Sequence, residues 1–417
     1  MEDLVSLLEG DPRVERAVTE EVEQHRLCDS CLGRHLGKAD HGSNSQRGQI
    51  MRQFADPEAE PVPPKDCVLC EGLVEEYEDL AKEVQMALED YDWDTFLVGT
   101  KVPKRISQME KDLAKPWPSA WVEPLKSEVN REVGRRVEEA ADGEVNFETP
   151  DVTVLVNPEF NTVTVEVRSV YVYGRYIKSE RGIPQTRWPC RRCRGKGCES
   201  CDGTGQQYAT SVEQLIAEPF MKALRGEEHA LHGAGREDID ARMLGRGRPF
   251  VLEIRNPHSR SWSPEEMEER VNGHAADRVE VTGLRPSDKS EVVALKDATW
   301  EKSYLISFTV DGGVTREELE AAAGTLSGTV IKQRTPQRVS HRRADKERPR
   351  MVKELTLVDL SGGKATVEVR GESGIYVKEL IHGDRGRTQP SMAELLGRSC
   401  DVVELDVLQV HDDDRGD

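Results

Sequence analysis

The chain has 417 residues, a formal charge of -20, and 39 arginines against only 19 lysines, which leaves room for two or three domains. Bulk acidity excludes binding nucleic acid through overall charge, so any such site must be a local basic island; an acid-rich, lysine-poor surface is expected of a high-salt cytoplasm. No stretch approaches the roughly 20 apolar residues of a membrane span, and the acidic "MEDLVSLLEGDPRVERAVTEE" lacks the apolar core of a signal peptide, so a cytoplasmic location with no membrane contact is expected.

Eight of the nine cysteines fall into four C-x-x-C pairs, Cys28/Cys31, Cys67/Cys70, Cys190/Cys193 and Cys198/Cys201, with Cys400 left over. In a reducing cytosol such pairs hold zinc more often than they form disulfides. The first segment opens with a helix over Glu2 to Leu8. Its two C-x-x-C corners, separated by a polar, proline-bearing spacer, can supply four thiolates to one tetrahedral zinc. An N-terminal zinc-binding module is therefore expected over 1–70. From Glu71 onward Tyr77, Leu80, Val84 and Leu88 recur on one helical face, and "PLKSEVNREVGRRVEEAA" predicts another helix. "DVTVLVNPEFNTVTVEVRSVYVYGRYIK" alternates β-branched and polar residues around an Asn-Pro turn and reads as strands. Together they predict an α+β domain over 71–185.

The second cysteine cluster and linker, 186–205, has the spacing C-x2-C-x4-C-x2-C, with glycines that permit tight loops around a second structural zinc. A ribbon without metal, or a plain linker, is the alternative. The spacing resembles half of the cysteine-rich region of DnaJ-type chaperones. No His-Pro-Asp tripeptide occurs in the chain, and that reading falls.

Residues 206–410 begin with a helix in "SVEQLIAEPFMKALRG" and then alternate strand-like and helical runs, which predicts a mixed, mainly antiparallel-sheet domain. An acidic tail, 411–417, follows. Three stretches of this domain carry chemistry. "HGAGREDIDARMLGRGRPF", 232–250, packs three acids and four arginines among four glycines. "EKSYLISFTVDGG" is a strand holding Tyr304. In "GIYVKELIHGDRGR", Ile375 to Lys378 read as strand, which would turn Tyr376 and Lys378 to one face. The expected basic island is "QRTPQRVSHRRADKERPR", with seven Lys or Arg against two acids. There Arg334, Arg338, Arg342 and Arg343, in a loop or hairpin, can grip phosphates bidentately.

"GRED" resembles the Gly-Arg-x-Asp motif of pseudouridine synthases, and "GIYVKEL" resembles their Gly-x-Tyr-[Ile/Val]-[Lys/Arg]-x-Leu motif. The whole layout is similar to the tenth pseudouridine synthase family of archaea and eukaryotes: a zinc module, a THUMP-type RNA-binding domain and a catalytic domain. The resemblance implies Asp238 as catalytic aspartate and Tyr304, Tyr376 and Lys378 as the partners supplied by the later motifs. It further implies Leu395 or Leu396 as an apolar residue of the same pocket, and tRNA as partner, with uridines 54 and 55 of the T-arm as targets and the basic loop engaging it. No catalytic cofactor is implied, only structural zinc, and no obligate protein partner is expected.

The chemistry points the same way. Moving uracil from an N1 to a C5 linkage needs a dry carboxylate at the sugar C1′, as nucleophile or as base. A lone buried carboxylate would take up a proton, so a fixed cation must face it; Lys378 is the candidate, with Arg236 a second cation or a phosphate contact. An aromatic ring can hold the detached uracil, and the nucleotide must first leave its stack. Asp240 is the competing carboxylate. A zinc-containing RNA-binding adaptor without catalysis is the other reading. A metal-dependent deaminase is excluded, since no His-x-Glu precedes "WPCRRC".

Overall fold

The computed structural model describes residues 2–39, 41–340 and 343–412. They divide into two compact units, 1–168 with 256–260, and 169–255 with 261–417. Each unit has its own hydrophobic core.

The first unit opens with helices α1 (Glu2–Gly10), α2 (Pro12–Gln24), α3 (Asp29–Gly33) and α4 (Asn44–Ala55). There follow α5 (Tyr77–Leu88), β1 (Thr95–Thr100), α6 (Lys104–Leu113), α7 (Leu125–Ala140), β2 (Glu144–Val145), β3 (Val152–Asn157) and β4 (Thr162–Val167). The sheet order is β2-β1-β3-β4, parallel except for the β3–β4 hairpin. The face predicted for α5 is the buried one: Tyr77, Leu80, Val84 and Leu88 all lie in the core. Cys28 caps α3, Cys31 lies within it, and Cys67 and Cys70 join them in that core.

The second unit contains β5 (Val170–Lys178), α8 (Val212–Leu224), β6 (Glu228–Gly233), β7 (Arg242–Arg255), α9 (Pro264–Ala275), β8 (Val279–Ser287), α10 (Lys289–Asp297) and β9 (Glu301–Val310). It continues through α11 (Arg316–Leu326), β10 (Thr329–Arg334), β11 (Glu347–Ser361), β12 (Lys364–Gly371), α12 (Val377–His382), β13 (Thr388–Gln389), α13 (Met392–Leu396) and β14 (Cys400–His411). Ten strands form one sheet in the order β13-β10-β11-β12-β9-β14-β7-β5-β8, with β6 on β7. Every pairing is antiparallel except β14 with β7. The architecture is α+β, as the sequence implies.

Two features depart from the expected boundaries. The run Val170–Lys178, placed by sequence at the end of the 71–185 domain, is β5 and pairs with β7 and β8 of the second unit. Its alternation marks a strand but cannot name the sheet it joins. The run Ile375 to Lys378 is not a strand: Tyr376 is the N-cap of α12 and Lys378 lies in its first turn.

The bend of β7 sets the site. Arg242 and Met243 pair in parallel with Asp406 and Val407 of β14, after which the strand runs antiparallel to β5 and β6. Gly245 and Gly247 make the crossing possible. Both have positive φ, and an added Cβ would stand 2.1 Å from the Leu408 carbonyl oxygen at Gly245 and 2.7 Å from that of Tyr176 at Gly247. Glycine alone tolerates such approach at such φ.

Candidate active site

The loop 234–241, which joins β6 to β7, is anchored from beneath. Glu237 turns inward, where its carboxylate accepts from Arg248 Nε at 2.9 Å and from the Tyr176 hydroxyl at 2.8 Å. Arg248 also donates to the Ala234 carbonyl at 2.7 Å. Gln185 donates to the Tyr176 hydroxyl and to the Gly235 carbonyl. The fully buried Lys178 donates to the carbonyls of Ile183 (2.9 Å) and Ile239 (3.1 Å). Removing one member of such a buried polar set would leave the others unsatisfied, at about 1–3 kcal/mol each. This holds the loop in one conformation and turns the next side chain, Asp238, outward.

Asp238 faces a pocket of about 280 Å³, close to the lower bound of roughly 300 Å³ for small-molecule sites. Its apolar walls are Ile375 and Val377, Leu405 and Val407 of β14, and Val339. Tyr304 lies on β9 between Val369 of β12 and Val407 of β14. Burial pushes its phenol up to about 12, with Arg248 opposing and Asp238 adding to the rise. The ring therefore stays neutral and forms a flat wall next to the carboxylate. Tyr376 closes another side. Its backbone is clamped by buried Gln333, which donates to the Tyr376 carbonyl and accepts from its N–H, both at 2.9 Å. Its hydroxyl accepts from Arg343 at 3.0 Å.

Two cations reach Asp238. Lys378 Nζ stands 3.3 Å from Oδ2 and also holds Asp240, at 2.8 Å. Arg338 Nη1 lies 2.9 Å from Oδ1, while its Nε pairs with buried Glu379 at 2.7 Å. Asp240 is mostly exposed; burial works against its ionisation, but Lys378, its own backbone N–H and Arg338 together hold the carboxyl below its ordinary range. Of the two candidate carboxylates, only Asp238 lines the pocket.

The structure thus brings Asp238, Tyr304, Tyr376 and Lys378 together. Arg236 lines the pocket as well, with its guanidinium 5.3 Å from the centre of the Trp188 ring. Leu395 is not in the wall: it is 39% exposed on α13, which buries Met392 instead, and β14 supplies the apolar surface. The basic run is the connection between β10 and β11, and it divides. Arg338 and Arg343 line the pocket, whereas Arg334 pairs with Asp345 at 2.7 Å. Arg342 lies outside the described residues. Sequence reasoning missed Arg338 as a partner of Asp238, because a basic run reads as a solvent-facing surface. It also missed Lys302, which lines the pocket two residues before Tyr304 and whose ammonium burial pulls down to about 8. A lysine on the same strand face as a site tyrosine was the available signal.

Both cysteine groups close as the spacing suggests. Cys28, Cys31, Cys67 and Cys70 form one set and Cys190, Cys193, Cys198 and Cys201 the other, each with sulfurs within 4.8 Å of one another. Cys28 and Cys70 are 3.7 Å apart, Cys193 and Cys201 3.8 Å. A tetrahedral zinc with bonds of about 2.3 Å sets its sulfurs about 3.8 Å apart, so both sets fit such an ion. In the second, the N–H groups of Gly197 and Gly205 point at sulfur, at 3.2 Å each, as they would toward thiolate.

Among the described residues, no helix is long and apolar enough to cross a membrane. Comparison with known proteins matches residues 171–411 to the family model "Pus10, C-terminal" and residues 80–157 to "Pus10 THUMP domain, archaeal". A protein of Halorubrum lacusprofundi named tRNA pseudouridine synthase Pus10 is 41% identical over 93% of this chain and 94% of its own length. Proteins of the same name from Methanopyrus kandleri and Methanocaldococcus jannaschii are 39% and 36% identical, each over 94% of this chain and over 98% and 93% of theirs.

Proposed function

We propose, since this chain belongs to the Pus10 family, that the Asp238 pocket converts uridine to pseudouridine in the T-arm of tRNA, at positions 54 and 55. Membership makes the chain a tRNA pseudouridine synthase, an isomerase. The target positions follow from the family resemblance of its motifs, and the cytoplasm is where such a substrate is met. The observation that carries the assignment of the site is the Asp238 carboxylate, set in the pocket wall against two cations and a buried tyrosine ring.

The reaction needs no redox partner. The C1′–N1 bond breaks and leaves its electron pair on uracil N1. The base turns, C5 bonds to C1′, the C5 proton departs and N1 ends protonated. Asp238 acts at the sugar, as nucleophile on C1′ or as base, in a site where water is largely displaced by the nucleotide. Lys378 and Arg338 keep a charge partner beside it throughout. The faces of Tyr304 and Tyr376 hold the free base during its turn, and the small pocket admits a single nucleotide flipped out of its stack. Both four-cysteine sets are structural zinc sites, since four thiolates leave no open position on the metal for substrate.

Asp238→Asn keeps the size of the side chain and removes its charge. Carbodiimide mapping of an unmodified tRNA transcript is expected to show conversion in the T-arm by the natural chain. For the variant we expect a loss of at least about 10²–10⁴ in single-turnover rate, with tRNA affinity retained. Natural rates from the variant would sink the assignment of Asp238; conversion confined to uridines outside the T-arm would sink the target.

A further inference from the structure

The Cys190–Cys201 corner differs in charge from the rest of the chain. Residues 187–202 carry five Lys or Arg and two acids, a positive stretch in a chain of charge -20. Around the pocket, the arginines are engaged with protein partners. Arg248 holds Glu237, Arg181 and Arg242 hold Asp406, Arg334 and Arg387 hold Asp345, and Arg338 holds Glu379. In the corner the pattern is reversed. Arg191, Arg192, Arg194 and Lys196 are all exposed, and their side chains make no hydrogen bond, ion pair or ring contact among the described residues. The two acids, Glu199 and Asp202, lie on the other C-x-x-C half. The thiolates face inward, toward the metal position and the backbone N–H groups of Gly197, Cys198 and Gly205. The four cations are thus left pointing at solvent from a rigid support.

That support is tied to the pocket. Its two strands meet at the Pro189–Gln206 bridge, with Cys190 N–H on the Gly205 carbonyl at 2.8 Å and Gln207 N–H on that of Trp188 at 2.9 Å. Trp188, at its root, stacks beneath Arg236, which lines the pocket. A polyanion entering the pocket by one nucleotide has its adjoining backbone beside this root.

We infer that the Cys190–Cys201 corner is an RNA-contact element, in which Arg191, Arg192, Arg194 and Lys196 bind the sugar-phosphate backbone flanking the nucleotide in the Asp238 pocket. The inference rests on the tRNA-modifying function proposed above. Four cations on a metal-braced turn suit phosphates at fixed spacing, which arginine grips bidentately, and they read no base.

The test measures binding, so that it fails separately from catalysis. Unmodified tRNA transcript is titrated against full-length protein carrying Asp238→Asn, with and without Arg191→Gln, Arg192→Gln, Arg194→Gln and Lys196→Gln together, over a range of salt. Each phosphate contact contributes about 0.7–0.9 to the slope of log affinity against log salt. The fourfold variant is therefore expected to lose about 3 from that slope and to bind roughly tenfold or more weakly at low salt. Arg192→Gln and Arg194→Gln alone, which change side chains that make no contact with a cysteine and leave the backbone hydrogen bonds to Cys190 in place, are each expected to lose close to one. Unchanged slope and affinity in the single variants, or in a fourfold variant that still unfolds cooperatively, would overturn the inference. Conversion of tRNA by the natural chain, scored separately, decides the underlying function whatever these slopes show.

Discussion

The two cations on Asp238 are not equivalent, and the difference lies in what each holds with its other side. Lys378 also contacts Asp240, whose side chain is 69% exposed, so removing the lysine leaves Asp240 to water. Arg338 also contacts Glu379, whose side chain is 1% exposed, so removing the arginine strands a buried carboxylate. Lys378→Met is accordingly expected to stay within about 1 kcal/mol of the natural stability while losing turnover. Arg338→Met is expected to lose turnover and, in addition, roughly 2–3 kcal/mol, below the 3–5 kcal/mol of a fully buried pair because the arginine is partly solvated. Urea unfolding and single-turnover conversion of tRNA separate the two; equal stability losses would refute the asymmetry. Lys302 gives a second residue-scale expectation. Its ammonium is depressed to about 8, chiefly by burial and then by Arg248. Below pH 8 the lysine is protonated both folded and unfolded, and the folded state carries the cost of the buried charge. Between about 8 and its ordinary 10.5 the unfolded chain binds more protons, so stability rises with pH. Lys302→Met should therefore be more stable than the natural chain at pH 7 by up to roughly 3 kcal/mol. That gap should narrow as pH climbs past 8, and a gap that widens there would exclude this origin.

At the scale of elements, α12 shows where sequence reading stops. "GIYVKEL" holds β-branched Ile375 and Val377, and a run this short satisfies strand and helix patterns alike. What decides is distant: Gln333, on β10, accepts the Tyr376 N–H and donates to its carbonyl, while that carbonyl also takes the Leu380 N–H, so the residue is a cap from which a helix starts. Lys378 still reaches Asp238, but from a helical turn, so the right residues met for a reason that alternation along a strand does not supply. The basic run between β10 and β11 teaches the same. Its composition marks a surface, yet Arg338 is drawn inward by Glu379 and Asp238, 41 and 100 residues away, which no local pattern encodes. By contrast, the α5 face, the β9 strand and both cysteine sets were legible, because periodicity or ligand spacing fixes them locally. The Gln333 clamp makes a prediction of its own. Gln333→Ala removes a side chain that is 2% exposed and leaves the Tyr376 N–H unpaired, its carbonyl keeping only the Leu380 N–H at 3.0 Å, a cost of about 1–3 kcal/mol. Because Tyr376 loses its fixed start, single-turnover conversion should fall at saturating enzyme while tRNA affinity holds. A variant that loses stability but converts at the natural rate would show that Tyr376 needs no clamp.

For the molecule as a whole, the division into two units with separate cores has a consequence for the two proposed zinc sites. The first cysteine set is embedded: Cys28, Cys31, Cys67 and Cys70 are each 2% exposed or less and belong to the core of the first unit. Arg34, itself buried, donates to Cys31 sulfur at 3.3 Å and pairs with Glu128 and Glu110. With an ion bound, Arg34 would balance thiolate and carboxylate charge together, and losing that ion would change the set of charges it faces. The second set is only partly buried, with Cys193, Cys198 and Cys201 half-buried. Structural zinc contributes directly to folding where its ligands form part of a core. Cys67→Ser is therefore expected to accelerate amide exchange throughout α3, α4, α5 and α7 while β9, β12 and β14 keep their natural protection. Cys201→Ser should confine its effect to residues near 187–208. Hydrogen-exchange mass spectrometry resolves the two by peptide. Loosening of the β9 and β14 peptides by Cys67→Ser would refute the prediction that the two cores unfold separately.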